Sequence, residues 1–322
     1  MMQLNEFAEE VLAGVREKAD GDFSAWTTTI HKNNGTSFIG ITISGTENQA
    51  QPIVYLDGYY NMFLHSKLSL KEVSDTVYDV IMEHMNYVPN VKITDLMNWN
   101  QMKSKICVKL INAEQNRELL TDMPHRFYLD FAVVYYIKIS ERGDELETMD
   151  VKNKYLDMWG ISEEELYRTG MENMEISDQV FFKNMKEVLP IWLQKEDEPS
   201  FPMYVLTNAS RYYGASVLLL KKELSNISQS LGNLIILPSS LHELIVLPEN
   251  QYTGDCEACA EMVKNVNTSV VLPEDYLSDH VYTYNRDTQE LKIAAYQLLM
   301  WDSQADAWLF NRFYFLWGKS DV

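Results

Sequence analysis

Cysteine is scarce in this 322-residue chain, with three residues, Cys107, Cys256 and Cys259. So small and odd a number builds no disulfide framework and suits a reducing compartment, so a cytoplasmic location is expected. Cationic side chains are also few, 27 Lys and Arg against 47 Asp and Glu, for a net charge of −20. A surface this acidic repels phosphate backbones and anionic lipid heads, and no basic cluster offsets it; direct binding of nucleic acid or of a membrane surface is therefore not expected. Long apolar runs are missing too. The longest stretch free of Asp, Glu, Lys and Arg, Leu224 to His242, is interrupted by Ser, Asn, Gln and Pro238, and falls short of the about 20 apolar residues of a spanning helix. The opening Met1-Met2-Gln3-Leu4-Asn5-Glu6 has no basic and apolar leader pattern and reads as an ordinary helix.

Cofactor signatures are absent as well. No Gly-x-Gly-x-x-Gly occurs, and Gly318-Lys319-Ser320 has Phe313 where a phosphate loop needs its first glycine. The six histidines form no His-x-His or His-x-x-x-His pair, so neither metal nor cofactor is expected.

What is there is ordinary globular material, 46% hydrophobic and 23% charged, with alternating helical and strand patterns. Leu4, Phe7, Val11 and Val15 keep helical spacing; Trp26–His31 and Thr36–Ser44 flank Asn33-Asn34-Gly35 as a hairpin; Ile53–Leu56 reads as a strand. Ser69-Leu70-Lys71-Glu72 and Ser162-Glu163-Glu164-Glu165 are capping boxes, each opening a helix. Phe131–Ile139 is long, β-branched and aromatic enough for mid-sheet. Ala215–Ser230 reads as one helix closed by Gly232, and Leu234–Leu237 and Leu244–Leu247 as strands. The expected architecture is α+β, mixed β-sheets with packed helices in two lobes. An N-terminal lobe covers 1–90, a larger one 91–295, and an aromatic-rich tail 296–322.

Four features carry candidate chemistry. Cys256-Glu257-Ala258-Cys259 opens a helix, where the dipole can acidify a redox thiol; Glu257 and Glu261 oppose that, and structural cysteines are the reading favoured. Ser239, Ser240, His242 and Glu243 offer nucleophile, base and acid types within five residues, but lack the elbow that exposes a nucleophile, and a tight strand connection is favoured. Asp57, Tyr59 and Tyr60, beside Gly58, form either a pocket or partner grip, or a turn with its aromatics packed inward. Tyr296 to Trp317 holds eight aromatics in 22 residues, among them Trp301, Trp308 and Trp317, either packed on the sheet or docking another chain.

Charge is most localised between Glu141 and Glu198, where 16 acidic and 7 basic residues leave a net of −9. Tyr55-Leu56-Asp57-Gly58-Tyr59-Tyr60, Trp159 to Leu166, Ile236-Leu237-Pro238-Ser239-Ser240-Leu241-His242-Glu243 and Leu277 to Tyr284, in that order, resemble a bacterial family of unknown function, DUF5688. The likeness runs over roughly residues 5 to 295 and implies no activity, cofactor or catalytic residue. The leading expectation is a non-enzymatic interaction or regulatory protein whose acidic face meets a protein partner with a basic surface. The alternative is a hydrolase or thiol-redox enzyme with a site assembled across the lobes. The oligomeric state stays open.

Overall fold

The computed structural model describes residues 2–21, 23–44, 53–85, 93–142, 145–177, 179–188, 202–238, 240–251 and 256–294. Its contacts form two compact units, Met1–Gln101 and Met102–Val322.

In the first unit, helix α1 (Leu4–Ala19) runs to Asp20, whose left-handed φ of 46° ends it. Strands β1 (Ala25–His31) and β2 (Ser37–Ile43) pair antiparallel from Ala25↔Ile43 to His31↔Ser37. The turn between them places Asn34 at φ 58° and Gly35 at φ 69°, the left-handed conformation these two residue types adopt at least cost. Strand β3 (Ile53–Tyr55) adds to β2, completing a three-stranded sheet. Helix α2 (Asp57–Leu64) follows, then α3 (Leu70–Met85). The capping box of α3 is made: the Ser69 amide donates to Glu72 Oε2 at 2.8 Å, and the Glu72 amide to Ser69 Oγ at 3.3 Å. The apolar stripes of the two long helices then meet the sheet. Phe7, Val11, Val15, Ile41, Ile43, Val73, Val77 and Ile81 are all fully buried in one cluster, each such side chain contributing about 1.5–3 kcal/mol. Two short helices, α4 (Ile93–Leu96) and α5 (Trp99–Met102), lead to the boundary.

The second unit holds two sheets. Strand β4 (Ile106–Asn112) is followed by α6 (Arg117–Leu120), β5 (His125–Tyr128), β6 (Phe131–Arg142) and β7 (Glu145–Asp150). β4 pairs with Phe131–Ile137 along one edge of β6, so β5 and β7 share the other edge. Phe131 to Ile137 are consequently buried without a break, as a β-branched and aromatic mid-sheet strand requires. Helix α7 (Asn153–Trp159) stops at Gly160, φ 68°. Helix α8 (Glu163–Ser177) starts where the Glu165 amide donates to Ser162 Oγ at 3.2 Å.

The chain continues through β8 (Val180–Asn184), α9 (Met185–Val188), β9 (Tyr204–Asn208), α10 (Lys221–Leu231), β10 (Leu234–Leu237), β11 (Leu244–Pro248), α11 (Cys256–Ser269), β12 (Tyr282–Asn285) and β13 (Glu290–Ile293). The six strands of this second sheet lie in the order β13-β12-β10-β11-β9-β8. The α+β class holds, with one refinement. Every pairing among the described strands is antiparallel rather than mixed, and hairpin-length links such as those of β5 to β6 and β12 to β13 are too short for a parallel crossover.

The single helix expected over 215–230 is divided. Gly214–Leu219 is a 3-10 turn, Leu220 leaves helical geometry at φ −82° and ψ 82°, and α10 starts afresh. The reason is tertiary: Gly214 to Leu218 are buried against β9 and the β10–β11 connection, and the next turn is the amphipathic one. No helix among the described residues is long and apolar enough to cross a membrane.

Candidate functional site

The serine and histidine cluster lies in the β10–β11 connection of the second unit. Ser239 falls outside the described residues. Ser240 is bridged to Tyr276, and its Oγ accepts the amide of His242 at 3.1 Å, the side-chain turn that Ser makes two residues along. His242 is held at both ring nitrogens. The Tyr213 amide lies 3.2 Å from Nδ1 and Asp275 Oδ1 lies 3.0 Å from Nε2. An amide only donates, so Nδ1 is the unprotonated nitrogen and Nε2–H donates to Asp275. With its one lone pair taken by a backbone amide, the imidazole is in no position to deprotonate Ser240. Among the described residues of the cluster, no nucleophile, base and acid are arranged in sequence.

What holds His242 there comes from both sheets of the unit. The Tyr213 ring stacks on it, centroids 5.7 Å apart. Over the Tyr213 ring, at 4.7 Å, sits the Lys109 ammonium of β4, itself 2.7 Å from Asp150 Oδ1 at the end of β7. Burial alone would lower the Lys109 pKa, but Asp150 outweighs it and holds the amine above its ordinary value, hence charged. The β9-to-α10 segment is tied down at each step. Thr207 Oγ1 donates to the His242 carbonyl at 2.6 Å, Asn208 Nδ2 to the Tyr212 carbonyl at 2.9 Å, and Ser216 Oγ to the Tyr213 carbonyl at 2.8 Å. Arg211 and Tyr213 both sit at left-handed φ, 58° and 52°, a conformation that costs a side-chain-bearing residue roughly 1–2 kcal/mol and that these bonds enforce.

Beside this construction is a cavity of about 210 Å³, its walls including Val205, Thr207, Arg211, Ser240, His242, Glu243 and Asp275. Ser240, His242 and Glu243 are thus brought together on one wall. Thr207, Arg211 and Asp275 join them from elsewhere in the chain, and no local motif marked those three.

A second, open groove of about 1050 Å³ runs between α8 and residues 219–223. It draws on the acid-rich stretch, which the structure sorts into two groups. Glu163 is spent inside the unit: Arg126 Nε donates to both its oxygens, at 2.8 and 2.9 Å, and the Tyr135 hydroxyl also donates to it. Burial would raise its pKa, and the bonds from Arg126 and Tyr135 more than reverse this, holding the carboxyl below its ordinary value. Glu164, although bonded to Arg126, and Glu172 and Glu175 are exposed along the groove, where Arg168, Lys221, Lys222 and Glu223 also stand, with Tyr167, Met171, Leu219 and Leu220 as apolar lining.

The other sequence candidates lie elsewhere. In the first unit Asp57 Oδ2 accepts the Ile39 amide at 3.1 Å, and Tyr60 donates to the Met2 carbonyl at 2.6 Å while packing on Phe7. Tyr59 packs against the same core. Gly58 closes no turn, since it stands in the first turn of α2. Cys259 is fully buried among Val263, Val266 and Ile235; the side chain of Cys256 lies outside the described residues, as do Trp301, Trp308 and Trp317. No group of three His, Cys, Asp or Glu among the described residues is arranged to hold a metal ion.

One polar cluster was not marked as candidate chemistry, although three of its members lie in the family-like stretch Leu277 to Tyr284. Asp130, in the β5–β6 turn, accepts Ser278 Oγ at 2.9 Å, His280 Nδ1 at 2.8 Å and the Tyr282 hydroxyl. It ties the first sheet of the unit to the segment before β12 and to the first residue of that strand, Tyr282, on which Phe131 stacks at 5.2 Å. The profile of a family of unknown function, DUF5688, matches residues 4–286. No curated protein and no solved structure matches the chain.

Proposed function

The chain belongs to the DUF5688 family, whose function is not established, and we propose that it is a non-enzymatic interaction protein of the cytoplasm whose acidic face takes a basic, amphipathic segment of a partner protein. The observation that carries this is the α8 groove. Its size, about 1050 Å³, lies at the top of the range for small-molecule pockets and leaves room for a chain segment. Glu164, Glu172, Glu175 and Glu223 stand over the apolar surface of Tyr167 and Met171 with Arg168, Lys221 and Lys222 among them, a rim of mixed sign with one acid in excess, in which Glu164 pairs with Arg126 and Glu172 with Arg168; charge beside apolar contact is what an amphipathic segment reads. Glu163, by contrast, is consumed in anchoring the helix to Arg126, which leaves its neighbours to face outward.

Pull-down with the full chain at rising salt tests this. Raising salt from about 0.15 to about 1 M shortens the screening length from about 8 to about 3 Å, so the partner is released. The variant E172K/E175K loses the same partner already at low salt. A partner retained unchanged at high salt, or by that variant, overturns the proposal.

A further inference from the structure

The cavity beside His242 is distinct from the α8 groove and its reading is independent of the partner. Its polar groups converge with both signs of charge. Arg211 holds its guanidinium over the Phe181 ring at 5.1 Å, with no carboxylate paired to it among the described residues. Asp275 gives Oδ1 to His242 and keeps Oδ2 without a hydrogen bond among the described residues, and Glu243, 7% exposed, lines the same space. Ser240 is 1% exposed; its oxygen accepts the His242 amide, and its own proton has no acceptor among the described residues. The remaining wall is aliphatic, formed by Val188, Val205, Val271 and Leu272.

Each feature selects one part of a ligand. A guanidinium fork with a nearby hydroxyl donor fits a carboxylate. Two carboxylates attract an ammonium, and would repel a lone anion. A lone amine would leave Arg211 unpaired. At about 210 Å³ the cavity is below the about 300 Å³ at which pockets for drug-sized ligands begin, and equals the bulk volume of about seven waters. We infer that this cavity binds a small aliphatic α-amino acid. Its carboxylate lies on Arg211 and Ser240, its ammonium against Asp275 and Glu243, and its side chain among the valines and Leu272. His242 is the fixed wall, its orientation set by Tyr213 and Asp275.

The test is calorimetric titration of the full chain with L-leucine, with isopentylamine and 4-methylpentanoate as its amine-only and carboxylate-only halves. Leucine binds saturably, and each half binds at least about tenfold more weakly because one charged contact is lost. Arg211→Met, at an exposed position, and Asp275→Asn, which preserves the acceptor for His242, each weaken leucine by a similar factor while the circular dichroism spectrum is unchanged. Absence of saturable leucine binding up to millimolar concentration overturns the inference. So does equal binding of either half, or unchanged binding by Arg211→Met.

Discussion

Gly214→Ala is the substitution whose cost the structure states most directly. A Cβ at this position would stand 1.9 Å from Thr207 Oγ1, 2.5 Å from the His242 carbonyl oxygen and 2.9 Å from the Asn208 nitrogen. The first contact can be relieved by turning the Thr207 hydroxyl, which breaks its 2.6 Å bond to His242 and leaves buried polar atoms unpaired, at about 1–3 kcal/mol. The other two contacts are backbone, so β9 or the β10–β11 connection must shift, and overpacking of this kind costs about 1–3 kcal/mol. Against these stands a gain of about 0.4–1 kcal/mol from the stiffer unfolded chain. The net is a loss of about 1–5 kcal/mol, which for a unit of this size lowers Tm by roughly 2–20 °C. Thermal and urea unfolding measure it, with near-ultraviolet circular dichroism reporting the Tyr213–His242 stack. A loss below about 1 kcal/mol, with that signal intact, would refute the claim that the 3-10 turn packs on β9 and the β10–β11 connection too closely to admit a Cβ at Gly214.

Gly58→Ala is the opposite case: nothing lies within 4 Å of a Cβ there and the residue is helical, so the first unit gains about 0.5–1 kcal/mol; a destabilised variant in urea unfolding would contradict the helical placement. Glu163, with its pKa below the ordinary value, contributes stability that is present above the ordinary carboxylate range and disappears as pH falls through its folded pKa. Glu163→Gln therefore costs about 1–2 kcal/mol at neutral pH and flattens the acid limb of the urea midpoint plotted against pH, and parallel limbs would count against the Arg126 anchor. Burial, with Asp130 beside it, pushes the Tyr282 phenol well above its ordinary value, so its contribution is intact below about pH 10 and is lost as pH rises further. Tyr282→Phe reduces the alkaline slope of stability and removes one late-titrating phenol from the tyrosinate absorbance; an unchanged late phase would mean Tyr282 ionises freely.

How far the fold was legible depends on whether the signal is local. The hairpin at Asn34-Gly35, the capping box at Ser69, the Ser162 side-chain cap of α8 and the unbroken apolar run of β6 are written in neighbouring residues, and each forms where expected. The division at Leu220 was not legible, because Ala215 to Leu218 keep a helix-compatible pattern and only burial against Thr207 and His242 forces the tighter turn. The candidate site was half legible. Ser240, His242 and Glu243 stood out by proximity, whereas Thr207, Arg211 and Asp275 reach the same cavity from β9, the loop after it and the 3-10 turn before β12.

Charge shows the same division. Composition alone made the chain acidic and located the excess between Glu141 and Glu198, since net charge is a sum over side chains and needs no coordinates. Which of those carboxylates are available depended on what packs beside them. Glu163 meets Arg126 and Tyr135, and Asp150 meets Lys109, because β5, β6 and β4 lie next to the segments that carry these acids. Glu172 and Glu175, about two and a half and just over three turns further along the same helix, face the groove. Local propensities and the acidic balance were therefore determined by the sequence, while the ring state of His242, the cavity and the exposed part of the acidic face were decided by strand order and backbone dihedrals, which join residues far apart in the chain.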